Sequence, residues 1–357
     1  MQTIPRIAFL AAACLCAAAA AVGQERGAGG KDSLIDPRLP HYVPEVTGLE
    51  GQLDFVGSDT MINLNNLWGE QFRKFNPDVT IQVEGKGSST APPALIEGTS
   101  DFGPMSRPMK SGEIDAFVER YGYEPTRVRA CLDALAVFVH KDNPVAERGL
   151  TMDEVDAIFS KTRKLGYPED ITRWGQLGLT GEWADAPIHL FGRNSASGTY
   201  GFFKKHALLK GDFKDAVKEQ PGSASVVQSV GSDPFAIGYS GIGYRTSSVR
   251  VVPLSEDGED YYEADLENVV DGDYPLGRFL NLYVNLPPNG ELDPMRREFL
   301  RLVFSREGQE QVLKAGYLPI TADVAAEECA RLGIPFEFAD PEKEEGRWDP
   351  AGAKRSD

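Results

Sequence analysis

Three short turns in this chain share one composition, a glycine followed by serine or threonine, and one position, between an apolar run and a helical pattern. They lie at residues 57–60, 87–90 and 192–199. Such a turn presents free N–H groups, hydroxyl donors and the positive end of a helix dipole to one point, which favours an anion. One turn alone is better explained as a helix cap. Three of them, with Arg193 in the last, favour convergence on one tetrahedral oxyanion.

Strand-like and helical segments alternate along the rest of the chain. The predicted strands lie at residues 53–57, 79–83, 133–140, 236–240 and 279–286, and the predicted helices at residues 60–75, 92–97, 155–159, 200–209, 223–230, 293–315 and 321–332. This alternation predicts α/β lobes with mainly parallel sheets. Ligands of such sheets bind beyond the carboxyl ends of the strands, and the three turns fall at those ends.

Composition and charge restrict the class of protein. With 357 residues and 41% hydrophobic content, the chain is long enough for two lobes, because single cores stop growing near ~250 to 300 residues. The formal net charge of −17 argues against a nucleic-acid partner. Charges beyond a Debye length of ~8 Å are screened, so an anion site in this chain must work through local dipoles. The four histidines (His41, His140, His189 and His206) form no ligand cluster, and we expect neither a metal nor a cofactor.

The first 23 residues have the layout of a secretory signal peptide. Arg6 precedes an apolar run over residues 7–22, and small residues follow at the end of that run. The run is shorter than the ~20 residues that span a bilayer. Lipid attachment at Cys14 or Cys16 is disfavoured because the alanines before them make a poor lipidation signal. We therefore expect an exported, periplasmic protein.

Two further segments flank the predicted fold. Residues 24–50 are rich in glycine and proline and predict an irregular lead-in, and residues 335–357 predict a charged, disordered tail. Between them lie Cys131 and Cys329. An oxidising compartment would permit a disulfide between these cysteines, and two buried free thiols are an equally open alternative.

Six sequence blocks follow one another in a characteristic order. They are GSDT at 57–60, GSSTAPPAL at 87–95, DFGPMSR at 101–107, DALAVFVH at 133–140, FGRNSASGT at 191–199 and IGYSGIGY at 237–244. In these blocks the chain resembles the periplasmic phosphate-binding proteins that deliver phosphate to the high-affinity ABC importer. The resemblance extends over about residues 53–332.

This resemblance implies the fold of a two-lobed type II periplasmic binding protein. Each lobe would contain a mixed, mostly parallel sheet flanked by helices, and two strands, near residues 130–136 and 238–244, would cross between the lobes. Lobe I would comprise residues 51–132 and 246–334, and lobe II residues 133–245.

The resemblance also implies a set of phosphate contacts. These are Thr60, the backbone of Met61, Ser88, Arg193, Ser197, Gly198 and Thr199. All of them fall in the three turns found independently except Met61, which directly follows the first turn, and Ser58 and Asp59 belong to that first turn.

One position departs from the family pattern. Well-known members carry an aspartate where this chain has Ser106, followed by Arg107. A buried carboxylate accepts the proton of a phosphate ion and repels sulfate, whereas a serine discriminates less. Asp59 could supply the missing carboxylate, or it could be a simple cap of the helix at 60–75, and both options stay open. Arg107 is expected to add positive charge near the ligand.

The expected function is capture of inorganic phosphate by a monomer that delivers it to a membrane-embedded ABC permease without turnover. A binding protein for another oxyanion, such as sulfate, molybdate or a phosphonate, remains an alternative because of Ser106. A secreted phosphate-ester hydrolase with Ser197 or Ser58 as nucleophile is disfavoured. Neither serine has a nucleophile-elbow motif, and no histidine is recognisable as its base.

Overall fold

The computed structural model describes residues 34–340, which form an α/β fold. Its strands are β1 (Gly51–Gly57), β2 (Val79–Gly85), β3 (Gly103–Met105), β4 (Thr126–His140), β5 (Leu150–Thr151), β6 (His189–Arg193), β7 (Lys218–Gln220), β8 (Ala236–Gly241), β9 (Val249–Val251), β10 (Leu254–Ser255) and β11 (Gly277–Val284). Its helices are α1 (Ile62–Phe75), α2 (Ala91–Glu97), α3 (Ser111–Tyr121), α4 (Val145–Arg148), α5 (Met152–Phe159), α6 (Gly198–His206), α7 (Ser223–Gly231), α8 (Leu266–Asp271), α9 (Pro294–Val303), α10 (Arg306–Lys314) and α11 (Ala322–Leu332).

Strand β4 connects the two halves of the fold. Its first half, from Thr126 to Ala134, pairs antiparallel with β11, and its second half, from Leu135 to Val139, pairs antiparallel with β8. An uninterrupted run of buried residues extends along most of this strand, as expected where a strand is covered on both faces. We use lobe I for the part built on β1, β2, β3, β11 and the first half of β4, and lobe II for the part built on its second half, β8, β6 and β7.

The sheets are mixed rather than mainly parallel. Strands β1 and β2 pair parallel, and so do β6 and its neighbours β7 and β8. All pairs that involve β4 or β11 are antiparallel. A parallel bridge between Phe55 and Phe102 joins the β1–β2 pair to the segment that leads into β3. The carboxyl ends of β1, β2 and β3 therefore lie side by side.

Strand pairing also bears on the boundary between the lobes. Strand β9 pairs with the end of β4, and β10 pairs with β5, so the chain after residue 246 still packs on lobe II strands. We propose that the return to lobe I occurs between α8 and β11 rather than near residues 238–244.

The prediction of one helix over residues 293–315 is wrong, because two helices, α9 and α10, occupy that stretch. The Ser305 hydroxyl caps the second helix by accepting from the Gly308 N–H at 3.2 Å. A Cβ on Gly308 would overlap the Leu302 carbonyl oxygen. The cap and the close approach together define the break.

The predictions for the two chain ends and for the cysteines can be compared with the described residues. The described part of the lead-in, residues 34–50, is irregular as expected, yet it buries Ile35, Leu39 and Tyr42. The predicted signal peptide, with Cys14 and Cys16, and residues 341–357 of the tail lie outside the described residues. Cys131 and Cys329 are free, buried thiols. Within residues 34–340, no helix has both the length and the apolar character of a membrane span.

Candidate anion-binding site

Three serine hydroxyls from lobe I meet where β1, β2 and β3 end. The Ser58 hydroxyl donates to the Ser106 hydroxyl at 3.0 Å, and the Ser88 and Ser106 hydroxyls lie 3.3 Å apart. The Ser106 N–H donates to the Ser88 hydroxyl at 3.0 Å. All three residues are buried. Adjacent strand ends thus place small polar donors at one point, as the sequence pattern predicts for Ser58 and Ser88; Ser106 is a candidate only through the family resemblance.

Lobe II places the start of α6 against this serine cluster. The Thr60 and Thr199 hydroxyls lie 3.0 Å apart. A Cβ on Gly198 would overlap the Ser88 hydroxyl and lie 2.6 Å from that of Ser106. Ser197 caps α6 by accepting from the Thr199 N–H at 3.1 Å. The helix-cap interpretation is therefore correct for Ser197. This residue also lies where all three turns meet.

Backbone contacts hold the second and third turns together. Gly87 has a φ of +115°, and a Cβ there would lie 2.6 Å from the Ala196 carbonyl oxygen, so the position requires glycine. The Ser89 N–H and hydroxyl donate to that same carbonyl at 3.3 and 3.1 Å. The two lobes therefore touch directly in this arrangement, which is closed around the turns.

Arg193 is the buried cation of the site, with 1% of its surface exposed. Its Nη1 lies 2.9 Å from Asp59 Oδ1 and donates to the Ser223 hydroxyl at 2.6 Å. Burial lowers the pKa of Arg193, and the neighbouring Asp59 opposes that shift. Among the described residues Nε has no hydrogen-bond partner. A buried, unpaired N–H of a cation is costly, so this donor fits an anion as its acceptor.

Asp59 connects the two lobes instead of capping the helix that follows it in the sequence. Its Oδ1 accepts from the Ser223 N–H at 2.9 Å and the Ser223 hydroxyl at 2.8 Å, in addition to the contact with Arg193. No side-chain cap is present at the start of the first turn or of α1, so the simple-cap interpretation is wrong. Within residues 34–340, Oδ2 has no donor, which leaves one carboxylate oxygen free to accept a hydrogen bond from a ligand.

Two other predicted contacts of the anion, Arg107 and Met61, form hydrogen bonds with protein groups. The Arg107 guanidinium forms a bidentate ion pair with Glu113, with donor distances of 2.7 and 2.6 Å, so its charge is largely neutralised. Its expected role of adding positive charge toward the ligand is therefore weakened. The Met61 N–H donates to the Ser58 carbonyl at 3.1 Å, and its side chain is buried in the core. The Met61 N–H is therefore not a free donor for the anion.

Arg278 and Asp133 form a buried ion pair that sequence reasoning missed. Two guanidinium nitrogens of Arg278 donate to Asp133 Oδ2 at 2.9 and 2.7 Å. The same guanidinium donates to the Thr199 hydroxyl at 3.0 Å and to the Ser106 carbonyl at 2.8 Å. Asp133 Oδ1 accepts from the Ile242 N–H at 3.0 Å. This pair sits where β4 passes between the lobes, and it touches both sides of the site.

Two tyrosines fix the backbone of the first turn. The Tyr244 hydroxyl donates to the Asp59 carbonyl at 2.9 Å, and the Tyr317 hydroxyl donates to the Thr60 carbonyl at 2.7 Å. Both tyrosines lie far from the turn in sequence, so no local pattern pointed to them. They fix the positions of the Asp59 and Thr60 carbonyl groups and thereby the backbone of the turn.

The protein has a two-lobed α/β fold in which strand ends and a helix start surround a cluster of anion donors. This is the architecture of the type II periplasmic binding proteins. Residues 43–307 match the model of the PBP superfamily domain. The chain is 53% identical over 321 residues to the phosphate-binding protein PstS of Pseudomonas aeruginosa, which covers 90% of this chain and 98% of that protein. It therefore belongs to the PBP superfamily and, within it, to the same family as that protein.

More distant relatives agree with this placement. The phosphate-binding protein PstS of Bacillus subtilis is 29% identical, over 76% of this chain and 81% of that protein. A Clostridium perfringens structure, assigned to phosphate ABC transport and solved with bound phosphate, is 26% identical, with a TM-score of 0.63 over 76% of this chain and 100% of the other. The fold and the family are thus supported both by sequence and by structure.

Proposed function

We propose that this protein captures inorganic phosphate between its lobes and delivers it to an ABC permease. The observation that carries the proposal is the buried Arg193 Nε–H, which lacks a partner among the described residues at the point where three donor-rich turns meet. The names of the relatives, which refer to phosphate binding and phosphate ABC transport, point to the same ligand.

The proposed ligands of the anion are the donors of the three turns. They are Ser58, Thr60, Ser88, Ser106, Arg193, Ser197, Gly198 and Thr199, with Asp59 as an acceptor. Hydrogen bonds to a charged group contribute ~1.5 to 3 kcal/mol each, and a partly buried helix end contributes up to ~2 kcal/mol. A few of these donors therefore suffice for the ~8 kcal/mol of a micromolar complex.

Selectivity for phosphate is proposed to depend on Asp59. Its free Oδ2 can accept a hydrogen bond from the P–O–H group that phosphate carries and sulfate lacks, so sulfate would face an unpaired acceptor. Ser106, at the position of the family aspartate, is part of the serine cluster and offers a hydroxyl in place of a carboxylate. Binding of sulfate, molybdate or a phosphonate is the second candidate function. With Ser106 in place of an aspartate, discrimination between phosphate and these ions would depend on the Asp59 carboxylate alone.

The geometry around Ser197 and Ser58, the two candidate nucleophiles, does not support catalysis. The Ser197 hydroxyl serves as a helix cap, and the Ser58 hydroxyl donates to another serine. We propose that the protein acts as a monomer in the periplasm, without nucleic-acid partners and without turnover. Sustained release of product from a chromogenic phosphate ester would contradict this view.

Calorimetric titration of the refolded, ligand-free protein with phosphate and with sulfate tests the main proposal. We expect micromolar or tighter binding of phosphate and far weaker binding of sulfate. Equal affinity for the two ions, or binding of sulfate alone, would refute phosphate as the specific ligand. Asp59→Asn is expected to narrow the difference between the two ions, whereas Asp54→Asn, an exchange outside the site, is the matched control.

A further inference from the structure

A second cavity, of about 740 Å³, opens between the lobes beside the anion site. Lobe I lines it with residues 107–110, Arg127 and Gly277, and lobe II lines it with α6, the turn before that helix and Lys210 after it. Ser197 and Arg278, which belong to the anion site, also face this cavity. The cavity is thus a neighbour of the anion site that spans both lobes.

The charge of the cavity lining is opposite to that of the protein. Seven of its lining residues are lysine or arginine, and none is aspartate or glutamate. The whole chain has 54 acidic and 37 basic residues. A concentration of one sign of charge in a cleft focuses the local field and attracts the opposite charge.

Four of these cations lack an anionic partner. Within residues 34–340, no carboxylate lies within ion-pair distance of Lys110, Lys205, Lys210 or Arg127, and Arg127 Nε donates to the neutral amide of Asn281 at 2.6 Å. The three remaining cations of the lining are paired, each with one carboxylate outside the cavity. The cavity therefore carries about four uncompensated positive charges.

An aromatic wall contributes a second feature. The Phe202 ring stacks on His206 at 4.2 Å between ring centroids and lies 5.2 Å from the Arg278 guanidinium. Burial lowers the pKa of His206, and the charges of Lys205 and Arg278 lower it further. The lowered pKa of His206 is the direction expected for a histidine in a positively charged cavity.

We propose that this cavity is a second binding site, for condensed or organic phosphates that carry three or more negative charges. A single phosphate ion is too small and too weakly charged to engage cations on both sides of a cavity of this size. Lys110 from lobe I and Lys205 and Lys210 from lobe II line the same cavity, so an extended triphosphate chain is the kind of anion that suits it. Such a ligand contacts both lobes and so binds the closed arrangement more tightly than an open one. The proposal goes beyond phosphate capture and does not depend on it.

Tripolyphosphate is the probe for this site. We expect one binding event by calorimetry when the full-length mature protein is first saturated with inorganic phosphate, and we expect salt to weaken it. Each exposed ion pair contributes a factor of roughly one and a half to five. The triple variant Lys110→Gln, Lys205→Gln, Lys210→Gln should therefore weaken binding by roughly three- to hundredfold.

A charge-matched control separates the site from the net charge of the protein. Lys86→Gln, Lys141→Gln, Lys161→Gln removes three exposed lysines outside the cavity and should leave tripolyphosphate binding within about twofold. Adenosine 5′-triphosphate, titrated in parallel, identifies the source of the ligand. Tighter binding of the nucleotide would favour an organic phosphate with its base on Phe202, and tighter binding of tripolyphosphate would favour an inorganic chain.

Three results would overturn the proposal. They are no second binding event at low salt, equal weakening in the two triple variants, and release of one phosphate for each tripolyphosphate bound, which would place the probe in the anion site. If phosphate itself fails to bind but tripolyphosphate binding still depends on the cavity lysines, the second site stands and the proposed function of the first fails.

Discussion

Substitution of Arg193 and Asp59, singly and together, tests how the charges of these two residues contribute to binding of the anion. Arg193→Met removes the buried cation, and with it the Nε–H that has no partner among the described residues. Asp59→Asn removes a negative charge 2.9 Å from that cation but keeps an oxygen that can accept from Ser223. The double variant removes both charges and leaves a neutral site of nearly the same shape.

The structure sets the expected magnitudes. Loss of the charge-assisted hydrogen bond from the unpaired Nε–H costs ~1.5 to 3 kcal/mol, so Arg193→Met should weaken phosphate binding by at least about tenfold. In this variant Asp59 also faces the anion without a counter-charge. Asp59→Asn should weaken phosphate binding by at most about tenfold, because the loss of an acceptor is offset by weaker repulsion of the anion. The double variant should recover part of the loss, with a coupling energy of ~1 to 3 kcal/mol.

Calorimetric dissociation constants for the four proteins complete the double-mutant cycle. Far-UV circular dichroism and thermal unfolding identify any variant that fails to fold. Binding by Arg193→Met within threefold of the parent would show that the anion lies elsewhere. Strictly additive effects, with a coupling below ~0.5 kcal/mol, would show that Asp59 does not oppose the anion and would remove its proposed role in selectivity.

Three further changes test the surroundings of the site. Gly198→Ala should weaken phosphate binding by roughly five- to 150-fold by calorimetry, because overpacking against two serine hydroxyls costs ~1 to 3 kcal/mol. Asp133→Asn leaves a buried arginine without its partner, at a cost of ~3 to 5 kcal/mol, and should lower the melting temperature by about 5 to 15 °C; a change within 1 °C would contradict a structural ion pair. Cys131 and Cys329 should react with a thiol reagent only after denaturation, since both are buried and burial raises the pKa of Cys329 to about 12.

The local part of this site could be predicted from the sequence. A glycine, a hydroxyl and a helix start lie within a few residues of one another in each turn, so composition alone indicates where N–H and O–H donors point. The parallel pairing of β1 and β2 then follows from their alternation with helices, and Ser58 and Ser88 meet for this reason. The short strand β3, which brings Ser106 to them, is not among the strands that the pattern predicts.

The non-local part could not be predicted in this way. Arg278 and Asp133 are 145 residues apart, and they meet because of the register between β11 and β4, which no short motif encodes. A charged residue inside the otherwise apolar run of residues 130–139 is the available signal at Asp133. The partners of Asp59 depend on closure of the lobes, so the sequence left its role open between two options and the structure added a third.

The buried charges around the anion site balance one another, which determines how the site can hold an anion. Arg193 faces Asp59, and Arg278 faces Asp133, so no net positive charge remains for the ligand. An anion there must be stabilised by fixed N–H and O–H dipoles, as expected for a protein with a net charge of −17. Buried dipoles are screened little by salt, so phosphate affinity should change by less than about threefold between low and physiological ionic strength. The cavity beside the site has uncompensated charge, and its affinity for tripolyphosphate should fall steeply over the same range. A steep salt dependence of phosphate binding would mean that the ion is held by net charge and that the dipole argument is wrong.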